Sequence, residues 1–337
     1  MRLGLVLPYD GSIPLTEALE LVQRAEALGF DSAWVPEAWG TDAVSVLGAL
    51  AVRTSRIRLG SGIVNVFSRS PALLAQTAAT IDLLSEGRFI LGLGTSGHQV
   101  IAGWHGVAFE RPIQRLRETI EIVRLVLRRD PLRFQGEIFR LEQGLKLRAR
   151  PLRSSVPIFL ATLTPPGLRL TGELADGWMP TLFSPEHSAV FRAELEAGAR
   201  SGGRNVNTLE VAASMAVAID EDRARARDAV RPYIAFYVGG MGSRQRNFYN
   251  DTVRRYGFDA EARAIQALYL EGKRAEAVAS VPDALVDAVT LAGPPPVIRE
   301  GLQRCAAAGV TTVLGQFYAT DSSARLAALE VLARAAA

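Results

Sequence analysis

The chain has 337 residues, of which 48% are hydrophobic and 22% charged, and its formal net charge is +3. That composition excludes a disordered or collagen-like chain and supplies ample apolar material for a large core. The basic residues are almost all Arg, with Lys only at Lys146 and Lys273, and no Arg run stands beside aromatics, so no nucleic-acid partner is expected.

In chain order, LGLVLP (3–8) reads as a first strand. RLGLVLP lacks the anatomy of a secretory signal. Apolar residues at helical spacing run from Pro14 to Leu28 and stop at Gly29. SAWVPE (32–37) is the second strand, followed by a helix over Asp42 to Arg53. RIRLGSGIVNV (56–66) is the third strand, and Pro71 opens a helix that reaches Leu84. RFILGLG (88–94) is the fourth, with a helix from Pro112 to Arg128. Residues 130–155, with Phe134, Gly136 and Phe139, read as a connection or small hairpin. VPIFLAT (156–162) is the fifth strand, with a helix from Pro165 to Glu173. DGWMPT (176–181) is the sixth, with a helix from Pro185 to Arg200. LEVAASMAVAI (209–219) and TTVLGQF (311–317) are the seventh and eighth. Between those two, residues 220–308 hold several helical patterns and are too long for one helix. The single cysteine, Cys305, lies in one of them and excludes a disulfide framework or a Cys-rich metal site. No apolar run approaches the ~20 residues of a membrane span, so no membrane partner is expected and a cytoplasmic location is the default.

Eight short apolar runs, most followed by a helical pattern, predict an α/β fold of the (β/α)8 barrel class, a single domain over 1–337. Continuous apolar strands suit a sheet covered on both faces. The insertion at about 220–308 is expected to be helical and to sit on the C-terminal face, where functional loops collect.

On that face the residues just past each strand are the ones to inspect. They are Tyr9 and Asp10; Glu37, Ala38 and Trp39; Asn65, Phe67 and Arg69; Thr95 to His98; Thr162 to Pro166; Met179 to Phe183; and Gln316 to Tyr318. Gly92, Gly94 and Gly97 spell G-x-G-x-x-G, the dinucleotide fingerprint. That motif belongs on the first βα turn of its domain, whereas here it follows three βα units. The glycines are read instead as letting backbone amides of Thr95 to Gly97 line a ligand site. His98, His105 and His187 lack metal-ligand spacing, so no metal is expected, and no G-x-S-x-G elbow supports serine hydrolysis.

RLGLVLP, AEALGFDSAWVPEAWGTD, IRLGSGIVNVFSRSPALLAQTAATIDLLSEGRFILGLGTSG and PIFLATLTPPGLRLTGELADGWMP, in this order, resemble the bacterial luciferase-like family. Within it they are most similar to the coenzyme F420-dependent oxidoreductases, the branch containing methylene-tetrahydromethanopterin reductase. The segments YVGGMGSRQRNFYNDTVRRYGF and AGPPPVIREGLQRCAAAGVTTVL carry the resemblance toward the C-terminus.

The resemblance implies a (β/α)8 TIM barrel with a helical insertion between strands seven and eight, a deazaflavin at the strand ends, a homodimer or higher homo-oligomer, and a small-molecule substrate. It implies hydride transfer at the deazaflavin C5, with FMN in a luciferase-like monooxygenase as the alternative and a non-catalytic cofactor-binding homologue as the second alternative. In this chain it points to a cis peptide between Gly62 and Ile63 behind the ring, Asn65 touching it, and Glu37 near its pyrimidine edge. Thr95, Ser96 and Gly97 would lie beside the ring. Thr162, Leu163 and Thr164, with Gly177 and Trp178 opposite, would hold the phosphate, where amides ahead of a helix favour an anion. His98 is the first candidate for proton transfer, with Glu37 as a second catalytic candidate. The family's sugar-phosphate dehydrogenases carry a His where this chain has Ala38 and a Glu near His98, which argues against sugar 6-phosphate oxidation.

Overall fold

A computed structural model describes residues 1–319 and 321–336. The strands are β1 (Arg2–Val6), β2 (Ser32–Val35), β3 (Arg58–Ser61), β4 (Val64–Asn65), β5 (Phe89–Gly94), β6 (Phe134–Gln135), β7 (Arg140–Leu141), β8 (Ile158–Leu160), β9 (Gly177–Trp178), β10 (Glu210–Ile219), β11 (Thr290–Gly293) and β12 (Thr312–Phe317). Parallel pairings run β1–β2–β3–β5–β8–β9–β10–β12 and return to β1, with β4 pairing to β5, so the sheet closes. Eight parallel strands with flanking helices make the expected barrel. β6 and β7 form the expected hairpin. It is pinned by Glu118, almost fully buried, whose carboxylate accepts N–H bonds from Glu137, Ile138 and Phe139 at 2.8–3.2 Å.

Several crossover helices start from a local signal. In α1 (Leu15–Ala27), Ala18, Leu21, Val22 and Ala25 form the buried stripe. α2 (Ala43–Arg53) is capped by Asp42, and α3 (Pro71–Leu84) by Ser70 with Pro at its first position. α4 (Pro112–Leu127) and α5 (Pro165–Leu174) also open on Pro, and α6 (Ala189–Ser201) completes the outer layer there.

Three stretches differ from the sequence reading. The third strand is not one run over 56–66: it stops at Ser61, passes a cis peptide between Gly62 and Ile63, and resumes as β4. The segment 220–308 is not wholly helical. α7 (Arg223–Ala235), α8 (Phe248–Arg255), α9 (Asp259–Leu270), α10 (Arg274–Ala279) and α11 (Asp283–Val289) fill it to residue 289. Then β11 pairs in parallel with the last four residues of β10, and α12 (Pro295–Ala307) follows. Four residues directly abutting α11 carry no period of their own; their pairing to β10 makes them a strand. Last, α13 (Ser322–Ala336) follows β12 and ties back to α1, with Arg325 donating to Glu17 at 2.5 Å and Arg24 bonded to Glu330.

The main core lies between strands and helices, with a smaller group inside the barrel: Val6, Trp34, Ile90, Phe159, Met179, Ala212 and Leu314. The rings of Trp34 and Phe159 sit 5.5 Å apart. Cys305 is buried in α12, where desolvation pushes its thiol up to about 12. No helix is long and apolar enough to cross a membrane.

Where β3 gives way to β4, one side chain substitutes for the ladder. The Ser61 hydroxyl donates to the Gly92 carbonyl at 2.8 Å and accepts from the Gly92 N–H at 2.9 Å. Ser61→Ala strands a buried N–H and C=O, about 1–3 kcal/mol each. Urea unfolding of the variant is expected to show a loss of that order, and parental stability would mean the hydroxyl does not close the gap.

Candidate active site

At the C-terminal ends of the strands is a cleft of about 220 Å³. Val6, Trp34, Ile63, Ala161, Met179 and Leu314 form its floor, continuous with the barrel's inner core. Glu37 to Trp39 and Gly94 to Gly97 form two walls, and the insertion covers it with Tyr237, Met241, Phe248 and Tyr249.

The three glycines of the fourth predicted strand have different tasks. A Cβ on Gly92 would fall 1.8 Å from the Ser61 carbonyl oxygen, so this position admits no side chain. A Cβ on Gly94 would crowd the Ile63 side chain at 3.0 Å. A Cβ on Gly97 would meet only the Gln99 side chain, at 3.9 Å, and Gly97 lines the cleft. Ser96 between them takes a left-handed backbone, φ 56°, which costs a non-glycine residue about 1 kcal/mol. It turns the chain from β5 into a π-helical turn over Gln99–Trp104. Such turns and such backbone outliers concentrate at functional sites.

Glu37 lines the cleft, but its carboxylate is committed. Arg69 donates to its two oxygens at 2.5 and 2.8 Å, and the Ala43 N–H at the start of α2 donates at 3.2 Å. Arg69 also donates to Asp42 at 2.6 Å. The Glu37 bonds hold the Arg69 guanidinium above its ordinary value against the cost of burial. Burial pushes the Asp42 carboxyl up, but the Ser45 donors and Arg69 pull it below its usual range. The Glu37 carboxylate thus anchors a network through both of its oxygens.

Asn65 is 1% exposed. Its Oδ1 accepts from the N–H groups of Phe67 and Ser68 at 3.0 and 2.8 Å, while its Nδ2 has no partner. A buried amide donor left unpaired costs about 1–3 kcal/mol, so it wants an acceptor.

The expected phosphate residues meet at the start of α5. The Thr162 and Thr171 hydroxyls bond at 2.7 Å, and Trp178 Nε1 donates to the Thr162 carbonyl at 2.8 Å. Gly177 gives the Phe159 ring its space. Thr164 occupies the N-cap position without a side-chain cap bond. Pro165 and Pro166 bring no N–H, which leaves the amides of Thr164 and Gly167 facing the helix end. Arg255, from α8, donates to the Leu163 carbonyl at 3.5 Å and adds a cation there. The donor set suits an anion.

Thus the structure gathers Glu37, Gly62, Ile63, Thr95, Ser96 and Gly97 on the cleft, with Asn65 buried next to it in sequence and pairing. Thr162, Leu163, Thr164, Gly177 and Trp178 form an adjoining group outside the lining. His98 is not brought in: it is exposed beyond Gly97, its ring edge-on to Phe109 at 6.3 Å. The sequence reading missed Tyr237 and Tyr249, which come from the insertion. The density of aromatics in FYVGG and NFYN, one just after α7 and the other at the start of α8, is the signal that points to them.

The model of the luciferase-like monooxygenase family matches residues 1–312. A Mycobacterium tuberculosis protein that carries the name of a coenzyme F420-dependent oxidoreductase is 38% identical, covering 98% of this chain and 99% of its own. The 5,10-methylenetetrahydromethanopterin reductase of Archaeoglobus fulgidus is 31% identical over 87% of each chain. Among solved structures, the coenzyme F420-dependent tetrahydromethanopterin reductase of Methanopyrus kandleri superposes with a TM-score of 0.86 at 27% identity, covering 99% and 97%.

Arg69→Met leaves the Glu37 carboxylate, 9% exposed, without its counter-ion. Breaking such a pair costs about 3–5 kcal/mol. Thermal melts of the variant are expected to show a loss of that order, and parental stability would speak against it.

Proposed function

The chain belongs to the luciferase-like monooxygenase family, and from that membership and the shape of its cleft we propose a coenzyme F420-dependent reductase that delivers hydride to a C=C, C=N or similar acceptor of a small organic molecule. The observation that carries the reading is the unpartnered Nδ2 of buried Asn65, at the end of β4 beside the cleft wall. A ring system with acceptors on its edge answers that donor, and a deazaflavin has them. The flat apolar floor around Ile63 and Met179 suits the face of such a ring. Gly62, Ile63, Asn65, Thr95, Ser96 and Gly97 would hold the ring. Thr162, Leu163, Thr164, Gly177 and Trp178, with Arg255, would hold the phosphate at the start of α5. When bound, the deazaflavin supplies a two-electron hydride donor at C5.

The protein's part is to bind, orient and exclude water. Glu37, fixed by Arg69, sets the wall after β2 and acts as a positioning residue. His98, outside the lining, is given no step. A homodimer belongs to the same proposal: Val52, Leu73, Leu83 and Leu84 leave apolar surface exposed on α2 and α3.

Parallel fluorescence titrations of the protein with F420 and FMN test the cofactor. Saturable F420 binding is expected, weakened about tenfold by Asn65→Ala, the scale of one lost hydrogen bond. Tight FMN binding without F420 binding would overturn the proposal.

A further inference from the structure

The chain has seven tyrosines, and five of them cluster: Tyr9 after β1, Tyr233 in α7, Tyr237 in the π-helical turn Phe236–Gly240, Tyr249 in α8, and Tyr318 after β12, with Tyr9, Tyr237 and Tyr249 lining the cleft. Their rings pack in sequence, Tyr318 against Tyr233 at 5.5 Å, Tyr233 against Tyr237 at 4.7 Å, and Tyr237 against Tyr249 at 4.8 Å. Tyr233 is satisfied, its hydroxyl bonded to Thr181 at 2.7 Å. Tyr237 and Tyr249 line the cleft, and among the described residues no protein group bonds to their phenols.

The pair is built in place. Asn247, 3% exposed, donates from Nδ2 to the carbonyls of Tyr237 and Val238 at 3.2 and 3.0 Å, and its Oδ1 accepts from the Tyr249 and Asn250 N–H groups at 3.0 and 3.1 Å. One buried amide therefore clamps the backbone of both tyrosine segments. The Tyr269 ring packs against Gly239 and Gly240, where a Cβ would come within 2.5 Å, and fixes the turn from behind.

Charge narrows the ligand further. Among the described residues, Glu37 is the one charged group lining the cleft, and Arg69 neutralises it. Among the described residues, no Lys, Arg or His lines the cleft to balance an anionic substrate. Trp39, Val100, Met241 and Phe248 supply an apolar surround.

We propose, resting on the reductase reading above, that Tyr237 and Tyr249 recognise the acceptor by donating hydrogen bonds from their phenols to the carbonyl oxygen of an uncharged, largely apolar substrate. When bound, the reduced deazaflavin would supply the hydride that adds to the carbonyl carbon as the C=O π pair moves onto oxygen; a phenol of this pair would give that oxygen its proton, leaving an alcohol, and water at the cleft mouth would reprotonate the phenolate. Burial, reinforced by neighbouring tyrosines, pushes both phenols above their ordinary value, so both remain neutral donors through the physiological range. Preorganised donors aimed at developing oxyanion charge are a large source of rate.

The test uses 4-(dimethylamino)cinnamaldehyde, an uncharged flat aldehyde whose absorption moves to the red when its carbonyl accepts hydrogen bonds. The full chain is expected to shift the band, with or without F420. Tyr237→Phe and Tyr249→Phe each weaken the shift, the double variant abolishes it, and Tyr233→Phe leaves it unchanged. Glucose 6-phosphate is expected not to displace the probe. With reduced F420, each of the two cleft variants should lower turnover of the aldehyde about 100-fold. No shift with the parent protein, or a shift that survives the double variant, overturns the assignment. F420 binding is read on the same samples. A shift without F420 binding supports the tyrosine pair and sinks the cofactor reading, whereas F420 binding without a shift does the reverse.

Discussion

Between Ser61 and Gly92 the barrel wall is so tight that a single added carbon would sit 1.8 Å from a carbonyl oxygen. The ladder between the two strands is interrupted there, and the Ser61 hydroxyl bonds both the N–H and the C=O of Gly92 in its stead. This contact sets the relative height of β3 and β5. It lets β4 resume against β5, with Val64 opposite Leu93 and Asn65 opposite Gly94. Ile63 can then reach the cleft floor, Asn65 is buried with one amide proton pair unspent, and the chain past Gly94 forms the opposite wall. The cleft floor at Ile63 and the buried Asn65 amide both depend on that register.

The cleft has two kinds of wall. The barrel side is apolar and rigid, built on the packed interior of Trp34, Phe159, Met179 and Leu314. Its one carboxylate is neutralised in place by Arg69, which also braces the start of α2 through Asp42. The insertion side is aromatic and hydroxyl-bearing, held together by Asn247. Among the described residues no Lys, Arg or His is in the cleft lining, and at the start of α5 Arg255 approaches the Leu163 carbonyl. Such a division separates a place for an anionic tail from a place for a neutral reactant.

Much of this was legible in the sequence. The order of short apolar runs and helical patterns is enough for an eight-stranded parallel barrel, because strands covered on both faces leave continuous hydrophobic segments. The G-x-G-x-x-G pattern at Gly92, Gly94 and Gly97 could be set aside on context, although only the structure shows that two of the three glycines serve strand packing. β11 was hidden because a four-residue strand has no period and gains its identity from β10. Glu37 read as a catalytic candidate because its partner, Arg69, lies 32 residues along the chain and only the fold joins them. His98 read as cleft-facing because it follows Gly97, but the left-handed Ser96 and the π-helical turn carry it to the surface. Tyr237 and Tyr249 were invisible as a pair, since their meeting depends on how the insertion folds back.

The most direct measurement is a structure of the protein with F420 bound. The account predicts the ring against Ile63, its edge accepting from Asn65 Nδ2, and its phosphate at the amides of Thr164 and Gly167. A ring bound elsewhere, or an Asn65 amide still unpartnered with F420 in place, would contradict it.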